Sequence, residues 1–157
     1  MSERPDGETP RIVMAHGGGG ELTRRLLAEH VFPKLANDLL DPLTDSAILP
    51  RPGGRICLTT DAFVVVPLEF PGGNIGDLAI HGTVNDLAMA GATPIAISVG
   101  LIIEEGLPVS DLKTVLESMR DAARQAEVNI VTGDTKVEPR GKADKLFINT
   151  PGIGVIE

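Results

Sequence analysis

The sequence predicts a mixed α/β (α+β) fold with one sheet that is covered by helices on one side. Two features support this class. Apolar, β-branched runs of strand length recur along the chain, and segments with helical spacing lie between them. The chain has 157 residues, which suits one domain, and its 18 Gly and 12 Pro indicate sharp turns between short elements.

Three helices are predicted behind a polar N-terminal segment. Residues 1–10 are polar and include two prolines, so we expect disorder there and a folded domain over residues 11–157. Residues 21–35 have helical spacing, and Pro33 should bend or end that helix. A second helix is predicted over about residues 77–90, and a third begins with Ser110 as its N-cap.

The strands are predicted in the apolar runs between these helices. A proline inside a strand removes a backbone donor, so Pro151 predicts an edge position or a bulge for the last strand. The predicted strands cover residues 55–66, 95–103, 128–137 and 146–156.

Charge and composition exclude several classes of function. The formal net charge is −8 and the basic residues are scattered, which argues against binding to nucleic acid. No run is long and apolar enough to span a bilayer, and the N-terminus lacks the order of a signal peptide. The single cysteine, Cys57, fits a reducing compartment. We therefore expect a cytoplasmic protein that binds neither nucleic acid nor a membrane.

Four aspartates suggest a cation site. Asp45, Asp61, Asp86 and Asp134 lie where apolar or turn segments meet, and Asp61 and Asp134 each end an apolar stretch of a predicted strand. Asp86 lies among apolar neighbours in a predicted helix, where an unpaired carboxylate is costly. Clustered carboxylates are hard oxygen ligands, so the suited ion is Mg²⁺. The alternative, that each Asp separately caps a turn or helix, stays open.

The glycine run Gly17–Gly20 precedes the first predicted helix. Glycines expose backbone N–H groups and let an anion approach closely, and a helix start adds positive potential. The run matches neither a Walker loop nor a dinucleotide fingerprint. A flexible hinge is the alternative.

Asp134 and Lys136 are two residues apart in a predicted strand. Alternate strand residues share a face, so the two side chains should point the same way, roughly 7 Å apart. A metal-binding carboxylate beside an ammonium group suits phosphate handling. A solvated lysine on an edge strand is the alternative.

Several of these segments together resemble the HypE family of hydrogenase maturation factors. They are HGGGGE, LTDSAILP, GRICLTTDAFVVVPLEFPGGNIGDLAIHGTVNDLAMAGATP, EEGLP and VTGDTKV, in that order. The resemblance runs from about residue 11 to the end of the chain. NDLAMAGA is shared by the wider superfamily of aminoimidazole ribonucleotide synthetase-like (PurM-like) enzymes, whereas HGGGGE, TDSA-x-LP and GDTKV together are much more specific to HypE.

The resemblance implies a PurM-like N-terminal domain that binds ATP and pairs with a second copy to form a barrel-like sheet. HypE is a carbamoyl dehydratase: it uses ATP to convert a carboxamide on its own C-terminal cysteine into a thiocyanate, for the cyanide ligands of nickel-iron hydrogenase. The implied partners are a second copy of the chain, a carbamoyltransferase that supplies the carboxamide, and iron-scaffold maturation proteins that receive the cyanide.

The resemblance also implies a role for each candidate residue. Asp45, Asp61, Asp86 and Asp134 correspond to the Mg²⁺–ATP aspartates. The implied ATP-binding residues are Gly17, Gly18, Gly19, Gly20, Asn85, Gly133 and Thr135. Lys136 is implied to be catalytic, near the reacting group.

The resemblance implies a second domain that ends in the reactive cysteine, and we expect this domain to be absent from the chain. We therefore expect the chain to lack complete turnover by itself. Two alternatives remain open. One is another ATP-dependent enzyme of the superfamily, of the selenophosphate synthetase or thiamine-phosphate kinase type. The other is a non-catalytic dimerisation or docking module, which need not bind ATP.

Overall fold

The computed structural model describes residues 10–40 and 53–156 of the chain. The expected disorder of residues 1–9 and the candidate Asp45 lie outside these ranges. The described residues form a four-stranded sheet in the order β1-β6-β4-β5. Its strands are β1 (Arg55–Val64), β4 (Thr93–Glu104), β5 (Asn129–Glu138) and β6 (Leu146–Ile156). A separate two-stranded ribbon consists of β2 (Glu69–Phe70) and β3 (Gly73–Asn74).

The sheet is mixed. Strand β6 is antiparallel to both of its neighbours, β1 and β4, whereas β4 and β5 run parallel. The crossover between the parallel strands is helix α4 (Val109–Gln125), which packs with helix α3 (Ile75–Met89) on one side of the sheet. The predicted fold class, a mixed sheet with helices on one side, is confirmed.

Residues 21–35 form one continuous helical segment with an irregular centre. It consists of α1 (Glu21–Leu26), a π turn (Leu27–Val31) and α2 (Phe32–Leu35). In the π turn the Phe32 N–H donates to the Leu27 carbonyl, five residues back. Pro33 has no N–H with which to continue an α-helical ladder, so the local widening follows from the proline. Pro33 therefore neither ends the helix nor leaves it regular.

Helix α3 begins at a reciprocal cap. The side chain of Asn74 accepts hydrogen bonds from the N–H groups of Gly76 (2.8 Å) and Asp77 (3.3 Å), and Asp77 accepts one from the Asn74 N–H (2.9 Å). Helix α4 does not begin as predicted. Pro108 occupies the N-cap position, and the Ser110 hydroxyl donates to Asp111 within the first turn. The fixed φ of proline suits a helix start, which displaces the cap by two residues.

The two faces of the sheet differ in exposure. The side that faces the helices is buried and contains the core, including Ile97, Ile103, Leu146 and Ile148. The opposite side, which we call the open face, carries exposed apolar side chains. On β1 the exposed fractions are 66% for Ile56, 70% for Leu58 and 60% for Val64, and Val66 beyond the strand is 54% exposed. Exposed apolar side chains grouped on one face are typical of an interaction surface.

The prediction that Pro151 marks an edge strand or a bulge in β6 is wrong. Pro151 lies opposite Thr60 in the centre of the sheet, between β1 and β4. On the β4 side, the paired residues pass from Ile97–Gly152 to Gly100–Asn149. The missing N–H of the proline is thus accommodated at a gap in the β4–β6 ladder, which a sequence pattern does not reveal.

Candidate functional site

The glycine run begins at a close contact with strand β5. Gly17 ends a 3₁₀ turn (Met14–Gly17), and a Cβ atom there would lie 2.7 Å from the Val137 backbone nitrogen. Only glycine permits so close an approach. Gly18 donates to the Ala15 carbonyl at 3.5 Å, Gly19 has a φ of 75°, and Gly20 is the N-cap of α1. The fold therefore places Gly17, the first residue of the run, against the strand that carries Asp134 and Lys136.

Strand β5 presents Asp134 and Lys136 on the open face. Val137 is buried in the core, so the residues that alternate with it, Lys136 and Asp134, point to the other side. Both are exposed. Asp134 also accepts a hydrogen bond from the Thr135 N–H at 2.8 Å. The predicted common face of the two charged residues is confirmed.

Asp61 and Asp86 both lie at the contact between β1 and α3, at the opposite edge of the sheet. Asp61 faces the helix side, because it lies opposite the buried Thr150 and its Oδ2 lies 3.7 Å from where a Cβ on Gly82 of α3 would stand. Asp86 lies on α3, where its Oδ2 accepts a hydrogen bond from the Thr59 hydroxyl at 3.0 Å. A strand and a helix thus bring two carboxylates and one hydroxyl together.

Two details differ from the sequence-based expectation. Asp86 is exposed and hydrogen-bonded rather than enclosed by its apolar neighbours, so its burial penalty is avoided. Asp61 and Asp134 lie within their strands, with β1 continuing to Val64 and β5 to Glu138. Asn85 is exposed on α3 next to Asp86, and Gly133 pairs with Val99 of β4.

Thr59 was not among the predicted site residues. The signal was available in the sequence, because Thr59 and Asp61 are two apart in one strand and therefore share a face. The sequence did not reveal the position of α3, which places Asp86 next to this face of β1. We refer to Thr59, Asp61 and Asp86 as the polar cluster.

One described chain does not bring all the aspartates together. Strands β1 and β5 are the two edges of the sheet, so Asp61 and Asp134 are separated by three strand spacings, about 14 Å, and they project from opposite faces. Within residues 10–40 and 53–156, no three His, Cys, Asp or Glu side chains are close enough together to hold a metal ion. Asp45 lies outside the described residues.

An apolar cavity of about 210 Å³ lies between the helical segment 21–35 and the sheet. Gly133, Asp134 and Thr135 are among its polar lining, together with Thr23 and Thr132. The remaining lining residues are apolar: Leu27, Val31, Phe32, Leu35, Leu40, Val99, Leu101 and Ile130. An apolar slot with a few polar groups at one side is the usual form of a small-molecule site.

The sheet, its helices and the aspartate-bearing strands are those of a known family. The model for the N-terminal domain of AIR synthase related protein matches residues 43–156. The chain therefore belongs to this family.

Within the family, the chain is similar to carbamoyl dehydratase HypE. It is 53% identical over 146 residues to the HypE of Rhizobium leguminosarum bv. viciae, covering 92% of this chain and 41% of the relative. It is 49% identical over 150 residues to the HypE of Escherichia coli K12, covering 92% of this chain and 45% of that protein. The chain thus spans less than half the length of these curated relatives.

Solved structures agree with this relationship. A HypE structure in complex with ATP superposes with a TM-score of 0.90 at 49% identity, covering 92% of this chain and 43% of that one. HypE in a HypE–HypF complex superposes with a TM-score of 0.65 at 49% identity, covering 87% and 43%. The thiamine-monophosphate kinase of Stenotrophomonas maltophilia, at 21% identity and a TM-score of 0.58, covers 94% and 44% and shares the fold alone. Among the described residues, no helix is long and apolar enough to cross a membrane.

Proposed function

We propose that this chain is the ATP-binding domain of a HypE-type carbamoyl dehydratase. In the complete protein, ATP would drive the dehydration of a cysteine-bound carboxamide to a thiocyanate, for the cyanide ligands of nickel-iron hydrogenase. The observation that carries the proposal is the similarity, over 92% of the chain, to a HypE that has been crystallised with ATP. At 49% identity this is more than a shared fold.

The aspartates are proposed to hold Mg²⁺ with the nucleotide. The donors at the β1–α3 edge fit this ion, because Asp61 and Asp86 offer hard carboxylate oxygens that are not taken up by ion pairs with other described residues. Thr59 engages only one oxygen of Asp86. Asp45 and Asp134 would complete the set. When bound, the ion would neutralise the phosphate charge.

The residues around strand β5 are proposed to hold the rest of the nucleotide. The N–H groups of the glycine run Gly17–Gly20 would cover the phosphates, with Asn85 beside Asp86 at the other edge. The apolar cavity next to Gly133 and Thr135 has the character of a site for the base. Lys136 would place its ammonium group near the transferring phosphoryl group.

A homodimer is part of the proposal. In one chain the Asp61–Asp86 edge and the Asp134–Lys136 strand lie far apart, and the open face between these edges is apolar and exposed. Two chains that pack open face to open face would bury this apolar surface.

The proposed protein partners follow from the same relationship. A HypE–HypF complex is among the solved structures similar to this chain, which supports a carbamoyltransferase as the source of the carboxamide. Iron-scaffold maturation proteins would receive the cyanide. Both interactions belong to the complete enzyme, of which this chain resembles less than half.

Calorimetric titration of the chain with ATP, with and without Mg²⁺, tests the proposal. We expect Mg²⁺-dependent binding that Asp86→Asn weakens strongly while the melting temperature of the free protein stays unchanged. Asp38→Asn, an exposed aspartate outside the site, is the matched control. A chimera that joins the chain to the remaining part of a HypE relative should then dehydrate the carboxamide. Absence of ATP binding by both proteins would favour a docking module instead.

A further inference from the structure

Two buried threonine hydroxyl groups join helix α3 to strand β6. Thr83 lies on the helix and Thr150 on the strand, and both side chains are fully buried. Buried polar side chains are rare in this protein. Among the described residues, the only other buried polar side chain is that of Asn74, which caps α3. A hydroxyl group in a core is retained only when its hydrogen bonds are satisfied, so its partners reveal its role.

The hydrogen bonds of the pair are complete and specific. The Thr150 hydroxyl lies 3.3 Å from the Ala79 carbonyl, to which it donates. The Thr83 hydroxyl lies 2.6 Å from the Thr150 hydroxyl and 3.1 Å from the Thr150 carbonyl, and its proton is donated to one of these oxygens. A helical threonine normally donates to the carbonyl four residues back, which here is Ala79. The strand hydroxyl takes that acceptor instead, so helix and strand are connected through both side chains.

The packing around the pair leaves α3 little freedom to move. A Cβ atom on Gly152 would lie 2.5 Å from Cγ2 of Thr83, so the helix rests directly on the backbone of β6. On the neighbouring strand, the residues opposite Thr150 and Gly152 are Asp61 and Thr59. The hydroxyl pair is therefore adjacent to the two residues of β1 that belong to the polar cluster.

Asp86 lies on the same face of α3 as Thr83. Ala79, Thr83 and Asp86 are spaced by four and three residues, so they follow one face of the helix toward β1 and β6. Any shift or rotation of α3 on the sheet would move Asp86 relative to Asp61 and would change its 3.0 Å hydrogen bond with Thr59. Errors of about 1 Å in the position of a reacting or ligating group are costly.

We infer that Thr83 and Thr150 are positioning residues for the magnesium–nucleotide site, and that they set the separation of Asp86 from Asp61. This inference rests on the proposed function, because it assigns those carboxylates to Mg²⁺–ATP. Neither threonine contacts the nucleotide in this scheme. Their effect is transmitted through the placement of one helix on two strands.

The test compares Mg²⁺–ATP affinity with stability in a set of variants. Thr83→Val keeps the shape of the side chain and removes the hydroxyl, and we expect the dissociation constant for Mg²⁺–ATP to rise about tenfold, as for other residues that orient metal ligands. Thr83→Ser keeps the hydroxyl and should restore the affinity to within about twofold of the wild type. Thr150→Val should have a smaller effect, because Thr83 retains the carbonyl of residue 150 as acceptor, and it serves if Thr83→Val does not fold.

A remote destabilised variant separates positioning from general loss of stability. Leu112→Ala removes a fully buried side chain of α4 and lowers the melting temperature, but it should leave Mg²⁺–ATP affinity unchanged well below that temperature. The inference is overturned if Thr83→Val binds like the wild type, or if Leu112→Ala loses as much affinity. A wild-type chain without Mg²⁺–ATP binding would instead overturn the proposed function, and the inference with it.

Discussion

The Thr59 hydroxyl donates a 3.0 Å hydrogen bond to the Asp86 carboxylate, and this contact links strand β1 to helix α3 at the candidate metal site. It leaves the other carboxylate oxygen of Asp86 available for an ion. A hydrogen bond of this kind orients a metal ligand and limits its rotation.

Removal of the Thr59 hydroxyl should therefore weaken metal-dependent binding. In Thr59→Val we expect the affinity for Mg²⁺–ATP to fall about tenfold, while binding of ATP without the ion changes little. Calorimetric titration with and without Mg²⁺ measures both. Thr60→Val is the matched control, since Thr60 lies next in the strand and points to the open face. Equal losses in the two variants would show that the Thr59–Asp86 bond has no special role.

The open face should hold two copies of the chain together. Leu58 is 70% exposed on β1, and a charge at its position would be buried without a partner in a face-to-face dimer. We expect the wild type to be a dimer and Leu58→Glu a monomer at roughly tens of micromolar. Size exclusion with light scattering gives the masses, with detection by refractive index because the chain has no Trp or Tyr.

A substitution on the helix side provides the control for this experiment. Leu78 on α3 is 39% exposed, so Leu78→Glu adds the same charge away from the open face and should leave the dimer intact. A monomeric wild type would contradict the proposed assembly. Dissociation by both substitutions would point to a non-specific effect of charge.

An ion pair between α2 and α4 predicts a pH dependence of stability. Lys34 forms a hydrogen bond with Glu117, and this bond, followed by the charge of Lys34, lowers the pKa of Glu117 below its ordinary value of 4.5. The contribution to stability is therefore present above pH 4.5 and is lost as the pH falls through the lower pKa of the folded state. Because the pair is partly exposed to solvent, its effect is small and weakens in salt.

Glu117→Gln measures this contribution. Near neutral pH the variant should melt slightly below the wild type, and the difference should disappear once the pH is well below 4.5. Glu69→Gln is the control, because Glu69 makes no ion pair with any described residue. A difference in melting temperature that persists in acid would mean that the substitution acts through packing rather than charge.

Local sequence patterns predicted the elements of this fold well, because the burial of each element follows its own periodicity. The alternation in β1 and the apolar stripe of α4 both contain that information. Features that depend on how distant segments pack together could not be predicted from local sequence patterns. The central position of β6 overturned the reading of Pro151, and the π turn at Leu27–Val31 arose from a proline expected to bend or end the helix.

In the candidate site, too, local features could be predicted from the sequence, whereas features set by long-range packing could not. Residue types and spacing were enough to predict that Asp134 and Lys136 share a face. Strand order decides which aspartates can meet, and it separates Asp61 from Asp134 by the width of the sheet. The role of Thr59 was missed for a related reason, since it depends on where α3 lies.

Lys136 has two possible roles, that of a catalytic lysine and that of a solvated lysine on an edge strand. It is exposed on the open face of β5, two residues from Asp134 and next to the strand position on which Gly17 packs. An ammonium group at this position could stabilise charge that develops on the transferring phosphoryl group, whereas a desolvated, neutral Lys136 amine could accept a proton from the carboxamide. Either role matters more in the transition state than in the ground state.

Lys136→Ala, in a chimera with the remaining part of a HypE relative, should therefore lower carboxamide-dependent ATP turnover about a hundredfold or more. ATP affinity should change far less, and the melting temperature hardly at all, because the side chain is exposed. Lys142→Ala, in the loop after β5, removes an equivalent charge and should leave turnover near the wild-type rate. A solvated edge lysine predicts that the two variants behave alike. Near-wild-type turnover in Lys136→Ala would remove the catalytic role while leaving the aspartate site untouched, since that site rests on other residues.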